Sequence, residues 1–114
     1  VMAVTARGLA RALMTVGMTI RRNIWLRPGH ADFNSAAGLG LLAHELVHTG
    51  QFEADPMFAE NYDRVARQTP RDQPWQNIYE AEAYQTERRI YCSLVAQGYP
   101  KGRWVPLGVS LWGC

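Results

Sequence analysis

Residues 40–51 read GLLAHELVHTGQ. Apolar residues at 39, 42, 43, 46 and 47 recur with the helical period, Asn34 or Ser35 can cap the start, and Gly50 offers a stop. The pattern predicts a helix from about 36 to 49. His44 and His48 are four residues apart, so their side chains stand one above the other on a single helix face. Glu45 follows the first histidine and sits about 100° round the helix from it. No other charged residue falls between 33 and 52, so this helix is expected to be central. Burying two imidazoles and a carboxylate without partners would cost several kcal/mol.

A metal ion removes that cost. Two imidazoles at this spacing can reach one ion at about 2.0–2.1 Å, the usual zinc–nitrogen distance, while Glu45, off their line, is placed to take a proton from a water at the ion's open position. A catalytic zinc takes a third protein ligand, and the helix expected to run from near Pro74 to Gly98 supplies Glu80, Glu82 and Glu87. Periodicity does not choose among them. Ile78, Ala81, Tyr84 and Gln85 track one face, whereas Glu80, Ala83, Tyr84 and Glu87 track another. Glu82 and Glu87, beside Arg88 and Arg89, also read as exposed charges in weak i,i+4 pairs. His30, the third histidine, lies in a Pro-Gly turn, where exposure is the usual fate.

HExxH followed by a helix bearing Glu resembles the gluzincin metallopeptidases. The segment LLAHELVHTGQ is similar to the HELxHxxQ helix of small bacterial zincin-like domains, and Asn77, Glu80 and Ala83 in NIYEAEA are similar to their NxxExxA element. The resemblance covers roughly residues 15 to 90. It implies one Zn2+ held by His44, His48 and Glu80, with Glu82 the alternative third ligand. It implies hydrolysis of a peptide or protein substrate lying along an edge strand near residues 18–26, with Glu45 as general base. A donor to the developing oxyanion is also expected, with Tyr84, Tyr79, Tyr62 and His30 the candidates and Tyr84 foremost. The acidic residue that often follows one turn after the third ligand is Tyr84 here, so the group that orients the histidines is left open. The other class of reading is a non-catalytic zinc-stabilised structural or protein-interaction domain, its fourth position closed by His30 or by the tail.

The rest of the chain fits around this helix. VTARGLARALMTV predicts a short amphipathic helix. MTIRRNIWLRPG predicts paired strands near 18–20 and 24–26 with a bend at Arg21 to Asn23. A second helix is expected from Asp55-Pro56 to Thr69-Pro70, with Gly98 capping the third. YPKGRWVPLGVSLWGC predicts an ordered tail whose Trp104 and Trp112 pack on the body, with VSLW an edge strand. The expected fold is α+β, mainly helical: a minimal zincin-like domain over residues 1–114.

At 114 residues, 47% hydrophobic and 19% charged, the composition is that of a folded globular chain. A net charge of +2 is too small to argue for nucleic acid on its own, and no nucleic-acid partner is expected. Residues 1–31 carry arginines and no carboxylate, whereas residues 45–63 carry five carboxylates and no basic side chain. These regions are expected to face each other, or the arginines to form a membrane or partner anchor. No run reaches the ~18 apolar residues of a bilayer span. The Val1-Met2 start is expected of a processed or trimmed chain, which leaves export and cytoplasmic residence both open, as do Cys92 and Cys114, a disulfide or two free thiols.

Overall fold

The computed structural model describes residues 16–114. The expected amphipathic helix at the start, with Arg7 and Arg11, lies outside them. The order is β1 (Gly17–Ile20), β2 (Asn23–Leu26), α1 (Ala36–Ala54), α2 (Phe58–Arg67), a 3-10 turn (Pro74–Gln76), α3 (Ile78–Ala96) and α4 (Leu107–Trp112). The fold is α+β and mostly helical, as the sequence predicts.

β1 and β2 form an antiparallel hairpin in which Gly17 pairs with Leu26 and Ile20 with Asn23. Arg21 turns the chain with φ 55°, a left-handed conformation that two-residue hairpin loops commonly fill with Asn or Gly. In the same turn, Arg22 is ion-paired with Glu53 at the end of α1, so the basic and acidic stretches meet at this pair.

Helices α1 and α3, 19 residues each, make the main packing interface. Ser35 caps α1, its Oγ accepting from the Gly38 amide at 3.1 Å. The helix does not stop at Gly50 but continues to Ala54, because the turn beyond the glycine is anchored: Gln51 bonds to α3, the Phe52 ring packs on Phe58 at 4.7 Å, and Glu53 holds Arg22. Against α3 it buries a face of small and polar residues, Ala37, Gly40, His44 and His48, while Leu46 is 53% exposed. Close approach is needed here. A Cβ on Gly40 would meet Glu87 Cγ and the Glu87 carbonyl at 3.3 Å, tighter than an ordinary contact.

Asn77 starts α3, its Oδ1 accepting from the amides of Tyr79 at 2.9 Å and Glu80 at 3.4 Å. Pro74 therefore belongs to the preceding 3-10 turn rather than to the helix. Gly98 ends α3 with φ 95°, the positive value expected of a C-terminal glycine.

The tail corrects one expectation: VSLW is not an edge strand but part of α4. Pro106 opens this helix, and Gly108 lets it lie flat on α3, where a Cβ would stand 2.9 Å from the Tyr84 carbonyl. A disulfide between Cys92 and Cys114 ties its end to α3 across a Cα–Cα distance of 5.6 Å. Upstream, the carbonyls of Pro100 and Lys101 accept from the first free amides of α1, Ala36 and Ala37. Trp104 packs on the core of Ala36, Ala37 and Tyr91 as expected, whereas Trp112 stays 38% exposed. No helix among the described residues is long and apolar enough to cross a membrane.

Candidate metal centre

His44 and His48 on α1 meet Glu80 on the first turn of α3. One ligand atom from each lies within 4.8 Å of the others. Glu80 Oε1 is 3.1 Å from His44 Nε2 and 2.6 Å from His48 Nε2. Asn77 makes this possible: by capping α3 it sets Glu80 three residues into the helix, on the face that also carries Ala83, Tyr84, Glu87 and Tyr91. Ala83 is fully buried and Glu87 4% exposed. Glu82, on the opposite side, is exposed and accepts from Gln51 Nε2 at 3.1 Å.

The other ring nitrogens are committed. His44 Nδ1–H donates to Glu87 Oε1 at 2.8 Å. His48 Nδ1–H donates to Gln51 Oε1 at 2.8 Å, an assignment fixed by the Gln51 amide nitrogen, which donates to the Tyr79 carbonyl. Both Nε2 atoms are left as the ligand atoms, the arrangement that orients metal-binding histidines. Glu87, which reads in the sequence as a surface charge, is thus the buried acceptor behind His44. It lies seven residues after Glu80 on the same face, the one signal in the sequence that marks it. Gln51 is the final letter of the HELxHxxQ pattern, where its role was not apparent.

Electrostatics follow from this packing. Burial is the largest single effect on His44 and lowers its pKa, but hydrogen bonds and charge from Glu80 and Glu87 outweigh it and raise the value to about 10. His48 is raised for the same reason, with Glu80 the main partner. Burial would lift Glu80, yet the two imidazoles hold it well below the usual carboxylate range. Glu45 is raised by burial, only partly offset by the His44 charge and a bond from Thr19.

A groove of about 430 Å³ opens beside this cluster and reaches His48 and Glu80, with β1 on one side and α2 with its approach on the other. Thr19, Glu45, His48, Phe58, Tyr62 and Glu80 are among its lining residues. Thr19 Oγ1 donates to Glu45 Oε2 at 2.8 Å and lies 3.1 Å from the Glu45 carbonyl. Tyr62 donates to Glu80 Oε2 at 2.8 Å, and the rings of Phe58 and Tyr79 pack around it. Tyr84 is elsewhere: its ring packs edge-on against His44 at 4.7 Å, outside the groove lining. Burial, with the charges of Glu80, Glu87 and Glu45, pushes its phenol above the ordinary value and keeps it neutral. His30 stacks on Trp104 at 4.5 Å and is not in the cluster.

Residues 3–56 match the family model of the eCIS core domain. The match covers just under half of the chain. It takes in the hairpin and all of α1, including His44, Glu45 and His48, and ends before α2 and α3, which bring Tyr62, Glu80 and Glu87. No curated protein and no solved structure matches the chain.

Proposed function

We propose that the chain is a single-ion zinc metallopeptidase of gluzincin type, hydrolysing peptide bonds with Glu45 as general base. The observation that carries this reading is the convergence of His44, His48 and Glu80, with His48 and Glu80 lining a groove that Glu45 also lines. Two imidazoles and one carboxylate are a donor set of catalytic zinc centres, and the Nδ1 partners Glu87 and Gln51 fit such an ion. An ion held there supplies Lewis acidity, which makes a water acidic near neutral pH and polarises a carbonyl.

The chain's own residues do the rest. Glu45 accepts the proton of the attacking water and passes it to the departing amine, and its burial makes it a better base than an exposed carboxylate. Tyr62, rather than Tyr84, is the phenol that faces the groove, so it is the donor for the developing oxyanion once its hydroxyl turns away from Glu80 Oε2. β1 lines the groove along its whole length, which suits an extended peptide.

Metal analysis and hydrolysis of a quenched-fluorescent peptide library, comparing wild type with Glu45→Gln, test the reading. The variant is expected to keep zinc and lose turnover. Zinc in both proteins and hydrolysis in neither would favour the non-catalytic zinc-stabilised domain. Wild type without bound metal would overturn both.

A further inference from the structure

The carboxylate of Glu45 is held from outside its own helix. Glu45 is 4% exposed, and the group that reaches its Oε2 is the hydroxyl of Thr19, on a strand 26 residues earlier. The same hydroxyl oxygen lies 3.1 Å from the Glu45 backbone carbonyl, so its one proton sits between the residue's backbone and its carboxylate, with the shorter contact to Oε2. Gly17, two residues before Thr19 and on the same face of β1, bounds the other oxygen. A Cβ there would stand 2.8 Å from Glu45 Oε1 and 3.1 Å from Leu26 Cδ2, distances that real Cβ contacts do not tolerate without a shift. The strand therefore presents a donor to one carboxylate oxygen and bare backbone to the other. A free glutamate side chain has several rotamers, and confining it to one has an entropic cost that a specific contact must offset.

We propose that Thr19 is the positioning residue for Glu45, with Gly17 the clearance that lets the carboxylate sit beside it, so that the strand lining the groove also sets the base. This rests on the peptidase reading above. It goes further by making the hairpin part of the catalytic apparatus rather than only a wall. Glu45 must point at the ion's open position to remove a proton, and the Thr19 hydroxyl selects that orientation while Gly17, lacking a Cβ, leaves room for the other oxygen. A peptide that presses on β1 then shifts substrate and base together.

The test compares Thr19→Val, which keeps the shape and removes the hydroxyl, with Thr19→Ser, which keeps the hydroxyl, and with Gly17→Ala. On the best-cleaved peptide of the library, Thr19→Val is expected to lower kcat about tenfold or more, with KM within about twofold and metal content unchanged. Thr19→Ser should restore most of kcat, and Gly17→Ala should lower it. A Thr19→Val protein with wild-type kcat would overturn the proposal. So would a loss that Thr19→Ser does not recover, or one that follows loss of metal, since a mere tie between hairpin and helix behaves that way. A second readout needs no turnover: the carboxyl-carbon resonance of Glu45 in the metal-free chain, assigned by its loss in Glu45→Gln. At constant pH it should move in Thr19→Val and stay in Thr19→Ser. If wild type cleaves nothing yet this pattern holds, the peptidase reading fails while the positioning by Thr19 stands. A resonance unmoved by Thr19→Val would overturn the positioning itself.

Discussion

Removing the Glu87 side chain strips His44 of its buried acceptor while leaving all three ligand atoms in place. Such partners are typically worth about 10–100-fold in metal affinity, so Glu87→Ala should weaken zinc binding by about that factor in competition with a chromophoric chelator. Glu80→Ala should weaken it much further, and Glu82→Ala, on the exposed side, should change it little; the reverse order for Glu80 and Glu82 would overturn the ligand assignment. The protons on the histidines supply a second check. With His44 raised to about 10, its imidazole is protonated at pH 7 in the metal-free chain; His48 is shifted in the same direction, and an ion must displace the protons on the ligand nitrogens. Apparent affinity should therefore climb as pH rises towards about 10, with about one proton or more released per ion at pH 7 by calorimetry in buffers of different ionisation enthalpy. A pH-independent affinity would contradict this. His44, Glu45 and His48 were legible because their spacing is local to one helix. Glu87 was not, because its burial depends on Gly40, 47 positions earlier, and on the register of two helices. Beside Arg88 and Arg89 it carries the local signature of a solvated charge.

Two glycines of α1 separate what a helix requires from what a helix pair requires. Gly50 has open space around its absent Cβ, so Gly50→Ala should stabilise the chain by about 1 kcal/mol through helix propensity alone and leave ion affinity unchanged. Gly40 faces Glu87 and Tyr91 at the crossing with α3. Gly40→Ala gains the same propensity but must push Glu87 aside, which costs about 1–3 kcal/mol and cancels or outweighs that gain, and it should also weaken ion binding; urea unfolding and chelator competition read both effects. Equal behaviour of the two variants would mean that the crossing is not tight at Gly40. The same contrast explains which elements the sequence announced. The hairpin, α2 and α3 were legible from β-branched and aromatic content, helical period and breakers such as Pro70 and Gly98, whereas the start of α3 was set too early, at Pro74, because Asn77 shows itself as the cap only through its bonds to Tyr79 and Glu80. The end of α1 was misplaced because Gly50 is a local stop signal overridden by the contacts of Gln51, Phe52 and Glu53. α4 was read as a strand because a six-residue helix of Val, Leu and Trp has no helical signature of its own; Pro106, Gly108 and the link to α3 make it one.

At the scale of the molecule, the tail is a clasp with two separable ends. One end is the backbone of Pro100 and Lys101 on the start of α1, and the other is α4 bound to α3 through the disulfide and through Arg88, which donates to the carbonyls of Trp112 and Gly113. The disulfide closes a loop of sequence separation 22, for which chain entropy predicts about 3 kcal/mol of stabilisation. Replacing both Cys92 and Cys114 by Ser should therefore lower unfolding free energy by about that amount and lower Tm by about 10–20 °C. The metal centre is joined by contacts that do not pass through α4: Glu80 to both histidines, Glu87 to His44, and Gln51 to Tyr79. Zinc affinity of the double variant, measured well below its Tm, should accordingly stay within about tenfold of wild type, the lower end of what losing a histidine's acceptor costs. A larger loss would mean that α4, lying over the Tyr84 backbone, holds Glu87 and Glu80 in register, and that the centre depends on an oxidising compartment in which the disulfide persists.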